Sequence, residues 1–375
     1  MSGGGAATLW IASAGRDASS GVAGDTVILG LPILRRAVLA GQRAGFDRIV
    51  VEEAPGLDLP HLTAGTRAEI AATSGPANAE GEGRVVLLAE NVLPQVRWLR
   101  ELRQGAPSAP ESRGRFVIAS PADLPRAEDW LLASLVKDTE GFMSRHVERR
   151  ISLAVSRRLA GTRVTPNAMT LVSVGVGLAG AALFLSARPG SAGAGALLVL
   201  LHSILDGCDG ELARLKFQES RFGGILDFWG DNVVHAAVFG TIAAAWSRAS
   251  GESWPLVLGA AAILGTILSA AFVYRHTMAQ VSEGPLFRSV SRSPDARFSR
   301  LADALARRDF LYLLVILAAL GKVHWFLVMA AVGSPIYFLL LVAIALAGRR
   351  GMAPAADVAA GVAVRVNNSS GRSLR

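Results

Sequence analysis

The sequence predicts an α-helical integral membrane protein of six transmembrane helices, preceded by a soluble α/β domain and a juxtamembrane amphipathic helix. Three observations predict it. Hydrophobic residues make up 51% of the 375-residue chain and charged residues 18%, with a mean hydropathy of +0.39, too apolar for an ordinary soluble protein. The long apolar runs all follow Pro166, whereas residues 1–138 alternate short β-type runs with segments of helical period. Arginines gather on one side of the apolar runs, the asymmetry that orients spans in a bilayer. A net charge of +8 and a pI near 10.6 would also suit a nucleic-acid binder. Because the arginines flank apolar runs, the charge is assigned to membrane lipids, and no nucleic-acid partner is expected.

Within residues 1–138, Thr8–Ala12, Arg48–Val51, Arg84–Leu88 and Arg115–Ile118 read as strands. Ile33–Ala44 and Asn91–Leu102 read as helices, and loops rich in Gly, Pro and Ser separate the elements. Such alternation predicts a small layered domain with a mainly parallel sheet. The first residues lack a basic n-region and a long apolar core, so no cleavable signal peptide is expected. Cys208 is the only cysteine, which excludes an intrachain disulfide and a cysteine-built zinc cluster.

Residues 139–165 predict a basic amphipathic helix. Val147, Ile151, Val155 and Leu159 recur every four residues, with Met143 on the same stripe. Arg145, Arg149, Arg150, Arg157 and Arg158 lie between them, the pattern of a helix resting at lipid headgroups.

The membrane domain, residues 166–348, offers six candidate spans at about 168–187, 192–211, 224–247, 254–274, 308–322 and 324–347. A crossing needs ~20 residues at 1.5 Å rise, which most of these supply. The fifth is expected to begin nearer Leu301, and only Gly321–His324 divides it from the sixth. Positive charge places both termini in the cytoplasm of a multi-pass cytoplasmic-membrane protein. Residues 349–375 read as a disordered basic tail. The Gly and Ala content of the first two spans predicts close helix packing.

One stretch breaks the apolar pattern. Asp206, Asp209, Gly210, Ala213, Arg214, Gly223, Asp227 and Asp231 fall within or beside apolar sequence. Spacings of three and four put Asp206 with Asp209, and Asp227 with Asp231, on single helix faces. Each acid would cost about 2.5–3.5 kcal/mol at a bilayer centre, so the group is a functional candidate. Clustered carboxylates are hard oxygen ligands for Mg2+ or Mn2+. Gly210 and Gly223 leave room for close approach to backbone, and Arg214 offers a fixed cation for a phosphate oxygen. Those parts suit phosphoryl transfer on a pyrophosphate-containing substrate.

These eight positions resemble the signature of the CDP-alcohol phosphatidyltransferases (class I), and Thr165–Thr170 resembles that family's Pro-Asn-x-x-Thr/Ser element. The resemblance covers about residues 140–347. It implies two Mg2+ or Mn2+ ions, one held by Asp206, Asp209 and Asp227, a second shared by Asp206, Asp227 and Asp231. It implies that Asp231 accepts the proton of the acceptor hydroxyl, which attacks the β-phosphorus of a CDP-alcohol and releases CMP. Asn167, Thr170, Gly210, Arg214 and Ser220 would contact the cytidine diphosphate. Arg221, Arg275, Arg297 and Arg300 are candidates for an acceptor phosphate, although orientation by positive charge explains them equally well. The donor would be CDP-diacylglycerol or CDP-inositol, the acceptor inositol phosphate or glycerol phosphate; the resemblance is compatible with a homodimer.

Gly30–Val38 and Ala44–Val51 resemble the opening βαβ unit of a sugar-phosphate nucleotidyltransferase domain. That family has a Gly-rich loop with an Arg and a Pro-Lys pair; this chain has Ala14-Gly15-Arg16-Asp17 and no Lys in Gly24–Val27. Loss of cytidylyl transfer is therefore expected, with a bifunctional enzyme as the alternative. The domain order further resembles archaeal di-myo-inositol phosphate phosphate synthases that also make CDP-inositol. A transporter is a rival from another class. It would spread carboxylates through the bilayer depth, whereas these are confined to two span ends around one loop. His202 and His235 read as buried, hydrogen-bonded span residues, and Cys208 as small packing.

Overall fold

In the computed structural model, residues 6–12, 21–72, 83–105, 114–136, 148–278 and 310–350 are described. The loop Ala14–Asp17, the first part of the predicted juxtamembrane helix, Arg297, Arg300 and the predicted tail beyond residue 350 lie outside them.

The alternation of residues 1–138 folds as expected around a parallel sheet. Strands β1 (Ala7–Ala12), β4 (Arg48–Glu52), β5 (Ala68–Ala71) and β6 (Arg84–Ala89) form it in the order β5-β4-β1-β6, with every pair parallel. β1 is central, and its Leu9 and Ile11 are fully buried. The helix α1 (Ile33–Ala44) covers them with Leu34, Ala37 and Val38, as the crossover of a βαβ unit. Gly45, at φ +86°, ends α1: its N–H meets the Gln42 carbonyl, and the Phe46 N–H meets the Gly41 carbonyl. This is a Schellman motif with glycine in the left-handed position, where no Cβ opposes it.

Two small antiparallel sheets were not read from the sequence, although Arg115–Ile118, part of one, was read as a strand. β2 (Val27–Ile28) and β3 (Leu31–Pro32) pair antiparallel across Leu29-Gly30, both at positive φ, as a two-residue turn requires. β7 (Val92–Pro94) pairs antiparallel with β8 (Arg115–Val117). The expected helix over Asn91–Leu102 is thereby corrected: it begins only at Val96 and runs to Gln104 as α3. Pro94 has no N–H to give a helix and disfavours helical geometry just before it, while the Asn91 amide donates to the Ile118 carbonyl. Short helices α2 (Leu59–Thr63) and α4 (Leu124–Ala133) complete this region.

The helix α5 (Arg149–Ala160) is the described part of the basic amphipathic segment. Its packing differs from a simple apolar stripe. Val155 and Leu159 are half-buried against Met169, Cys208 and Leu212, and Ile151 stays 43% exposed. Ser152, Ser156 and Ala160 are buried.

Among the described residues six further α-helices follow: α6 (Pro166–Leu183), α7 (Ser191–Lys216), α8 (Arg221–Ser250), α9 (Trp254–Val273), α10 (Phe310–Ala319) and α11 (Val323–Arg350). Among the described residues, four helices are long and apolar enough to cross a membrane: Pro166–Leu183, Ser191–Lys216, Trp254–His276 and Val323–Leu346. α8 is 30 residues long, but Arg221, Asp227, Asp231 and Arg248 interrupt its apolar run, and 10 residues of α10 are described. The described chain forms two compact units, one of Met1–Val176 with Leu201–Asp227, the other of Gly177–Leu200 with Phe228–Arg375. In the second unit, a Cβ on Gly180 would stand 2.8 Å from the Gly195 carbonyl oxygen, the close approach expected of small residues. There too a Cβ on Gly265 would meet the Pro335 nitrogen at 2.6 Å, and the Thr266 hydroxyl donates to Ser334.

Candidate active site

Three helix ends assemble the acidic cluster. α6 starts where Thr165 Oγ1 accepts the Ala168 N–H at 3.2 Å and Pro166 takes the first helical position, which needs no donor. α8 starts where Ser220 Oγ accepts the Gly223 N–H at 2.9 Å. Ser220, predicted as a donor contact, is therefore also the N-cap of the helix that carries Asp227. The two starts touch. A Cβ on Gly223 would stand 2.8 Å from Asn167 Oδ1 and 3.0 Å from Ser220 Oγ, so a side chain there would have to displace Asn167 or the Ser220 cap. Two helix N-termini thus come together beside the acids, a favourable electrostatic setting for an anionic substrate.

α7 supplies the acids that face them. Asp206 is 3% exposed and Asp209 7%. The buried Thr170 hydroxyl donates to Asp209 Oδ2, tying α6 to α7. α8 runs unbroken through Asp227 and Asp231, one turn apart. Asp206, Asp227 and Asp231 each offer a carboxylate oxygen, and the three oxygens lie within 4.8 Å of one another. Asp209 lies outside that group of three, in contact with Thr170 instead.

Gly210 lies beside Arg214 on α7: a Cβ there would stand 3.4 Å from an Arg214 guanidinium nitrogen, an ordinary contact distance. Arg221 is exposed at the start of α8. Arg275 is exposed on the π-helical turn Tyr274–Met278, lining a groove of about 520 Å³ with Leu268, Phe272, His276 and Phe338. His202 is buried at 2% exposure, and the His235 ring lies 5.7 Å from that of Phe310. Cys208 is fully buried, its Sγ 3.5 Å from the Ser152 carbonyl oxygen.

One acid escaped the sequence reading. Glu211, fully buried on α7, accepts from Arg149 Nη1 at 2.6 Å, Ser152 Oγ at 2.7 Å and Ser156 Oγ at 2.6 Å. A signal was present: Ser152 and Ser156 are four apart on α5, interleaved with the apolar stripe, and Glu211 interrupts α7 beside Asp209 and Gly210.

Three carboxylates within reach of one ion are hard, anionic oxygen ligands, and their mutual repulsion is relieved by a divalent cation. The donor set fits Mg2+ or Mn2+ and offers no sulfur or imidazole to favour a softer metal.

Comparison with known proteins agrees. Residues 163–291 match the CDP-alcohol phosphatidyltransferase family model. A bifunctional IPC transferase and DIPP synthase from Thermococcus kodakarensis is 36% identical over 152 residues, 40% of this chain and 33% of that protein. The phosphatidylinositol phosphate synthase of Mycobacterium tuberculosis is 34% identical over 99 residues, 26% of this chain and 44% of that protein. The chain therefore matches about a third of the length of the bifunctional relative and less than half of the synthase. A crystal structure of the latter with CDP-DAG bound aligns with 52% of this chain and 94% of that one, at 21% identity and a TM-score of 0.38. The matched stretch, 163–291, holds Asn167, Thr170 and all four aspartates.

Proposed function

We propose that the protein transfers a substituted phosphoryl group from a CDP-alcohol to an acceptor alcohol, releasing CMP. The observation that carries this reading is the meeting of Asp206, Asp227 and Asp231, with carboxylate oxygens all within 4.8 Å, beside the touching starts of α6 and α8. Asp206, Asp227 and Asp231 would hold Mg2+ or Mn2+, and Asp209 would complete the ligand set for a second ion. Bound there, the ions would supply charge neutralisation of the diphosphate and of the oxygens entering and leaving phosphorus.

The chain's own residues would do the rest. Asn167, Thr170, Ser220 and the first N–H groups of α8 would orient the cytidine diphosphate, and Arg214 would pair with a phosphate oxygen. Asp231 would take the proton of the acceptor hydroxyl as its oxygen bonds to the β-phosphorus. The bond from that phosphorus to the bridging oxygen breaks, and the electron pair leaves with CMP.

The finer reading follows the relatives' names. The donor is CDP-diacylglycerol or CDP-inositol, and the acceptor an inositol phosphate ahead of glycerol phosphate, with Arg221, Arg275, Arg297 and Arg300 as its phosphate contacts. Residues 1–138 form a domain that has lost cytidylyl transfer, since Gly24–Val27 carries no Lys. Six crossings, with α8 and an extended α10 joining the four apolar helices, put both termini in the cytoplasm of a cytoplasmic membrane. A homodimer completes the picture.

The test is CMP release by purified protein in detergent with Mn2+, either CDP-alcohol, and a panel of polyols and polyol phosphates. CMP formed only with both substrates and the ion is the expected result. No CMP with any pair contradicts the reading.

A further inference from the structure

The contacts of the α/β domain converge on Leu215–Glu219, the end of α7 and the turn that leads into α8, so they meet the join between the two acid-bearing helices. α7 ends in a Schellman motif, with Gln218 N–H bonded to the Ala213 carbonyl at 2.9 Å and Phe217 N–H to the Arg214 carbonyl at 3.4 Å. The left-handed position, glycine in α1, is here Phe217 at φ +56°. A Cβ in that conformation crowds the following carbonyl oxygen, so it is unfavourable for any residue but glycine. It persists only where the surroundings over-determine it, and such positions gather at functional sites.

The α/β domain provides those surroundings. The Phe217 ring packs against the core built on β1 and α1, and the Arg36 guanidinium carbon lies 5.9 Å from its centroid. Arg36, 2% exposed on α1, donates to the Leu215 carbonyl at 2.8 Å and the Ile28 carbonyl at 2.9 Å. Burial lowers its pKa to about 10, so it stays cationic at neutral pH and suits the carbonyl end of α7. Arg43 donates to the Phe217 and Glu219 carbonyls and pairs with the Glu219 carboxylate at 3.3 Å. Leu215 is buried in a second core with Ile28, Leu29 and Leu131. Lys216 Nζ donates to the Thr162 and Val164 carbonyls at 2.8 and 2.7 Å, tying the same turn to the approach to Asn167 and Thr170. Gly30 brings the β2–β3 turn onto α5; a Cβ there would stand 2.2 Å from the Ala160 carbonyl oxygen.

We infer that the α/β domain is a positioning element for the acidic cluster: Arg36, Arg43 and Phe217 hold the α7–α8 turn so that Asp206 and Asp227 face one another. With those contacts gone, Phe217 leaves the left-handed region, the end of α7 frays, and α8 drifts from its close fit at Asn167 and Gly223. The cluster then loses its shape although no ligand has been touched. A domain that no longer turns over nucleotide thereby keeps a reason to be there. The inference rests on the transferase reading only where its test uses Mn2+.

The test compares full-length wild type with Arg36→Met, Arg36→Lys, Phe217→Gly and the solvent-exposed Arg43→Ala, each in detergent. Two quantities are read: amide hydrogen exchange over residues 213–224, and Mn2+ affinity from the electron paramagnetic resonance of the free ion. Arg36→Met and Phe217→Gly should speed exchange in 213–224 while the middle of α6 stays protected. Both should weaken Mn2+ binding about tenfold, the size of effect seen for residues that orient metal ligands. Arg36→Lys, which restores a cation and a donor, should recover part of the loss. Arg43→Ala, whose partners lie at the surface, should fold normally and speed exchange at the turn alone. Unchanged exchange in Arg36→Met and Arg43→Ala, or Mn2+ affinity within about twofold of wild type in monodisperse Arg36→Met, overturns the inference. A wild type that binds no Mn2+ contradicts the transferase reading instead, and the exchange data still decide the positioning role.

Discussion

Two acidic regions lie within two turns of each other on α7, and they are built in opposite ways. Glu211 is met by a guanidinium and two serine hydroxyls from α5, so its charge is matched inside the protein. Asp206 is met by two more carboxylates, Asp227 and Asp231. The first arrangement satisfies an acid; the second gathers like charges, which destabilises a fold unless a cation joins them. The difference separates a residue that joins helices from residues whose carboxylate oxygens converge on one point. Elsewhere the same helices pack by another rule: α6 and α7 meet at Gly180 and Gly195 with no charge at all.

The largest expected effect breaks the satisfied region. Arg149→Met leaves the fully buried Glu211 carboxylate with its two serines alone, and loss of one partner from a buried pair costs about 3–5 kcal/mol. Thermal unfolding in detergent should show it, and adding Glu211→Gln should restore much of the loss. If Arg149→Met unfolds like wild type, Glu211 is not held as described.

The clustered region should respond with the other sign. Asp206→Asn removes one of three like charges, so the metal-free variant should be no less stable than metal-free wild type. The gain on adding Mn2+, about 2.7 kcal/mol at a hundred times its dissociation constant, should vanish in the variant. A variant that keeps the whole Mn2+ gain would remove Asp206 from the ligand set.

Local pattern made much of this legible in the sequence. Strands β1, β4 and β6 and helix α1 follow from alternation bounded by glycine and proline, and the aspartate spacing marked the site. The helix expected from Asn91 failed because Pro94 and the Asn91–Ile118 bond turn its first residues into β7. The number of spans is harder to read in α8, where the aspartates that mark the site lower the hydropathy that would mark a crossing. Long-range partners left no local trace. Arg36 looks like one more helix arginine until α1 folds against Leu215, 179 residues away. Phe217 shows its strain only as a backbone angle.

In the proposed transfer, Asp231 takes the proton of the acceptor hydroxyl while Asp206 and Asp227 hold the metal. The most direct measurement is CMP release by Asp231→Asn beside Mn2+-dependent binding of the CDP-alcohol by the same protein. Transfer abolished with binding largely kept is the predicted result. Wild-type rates of CMP release in Asp231→Asn would contradict it.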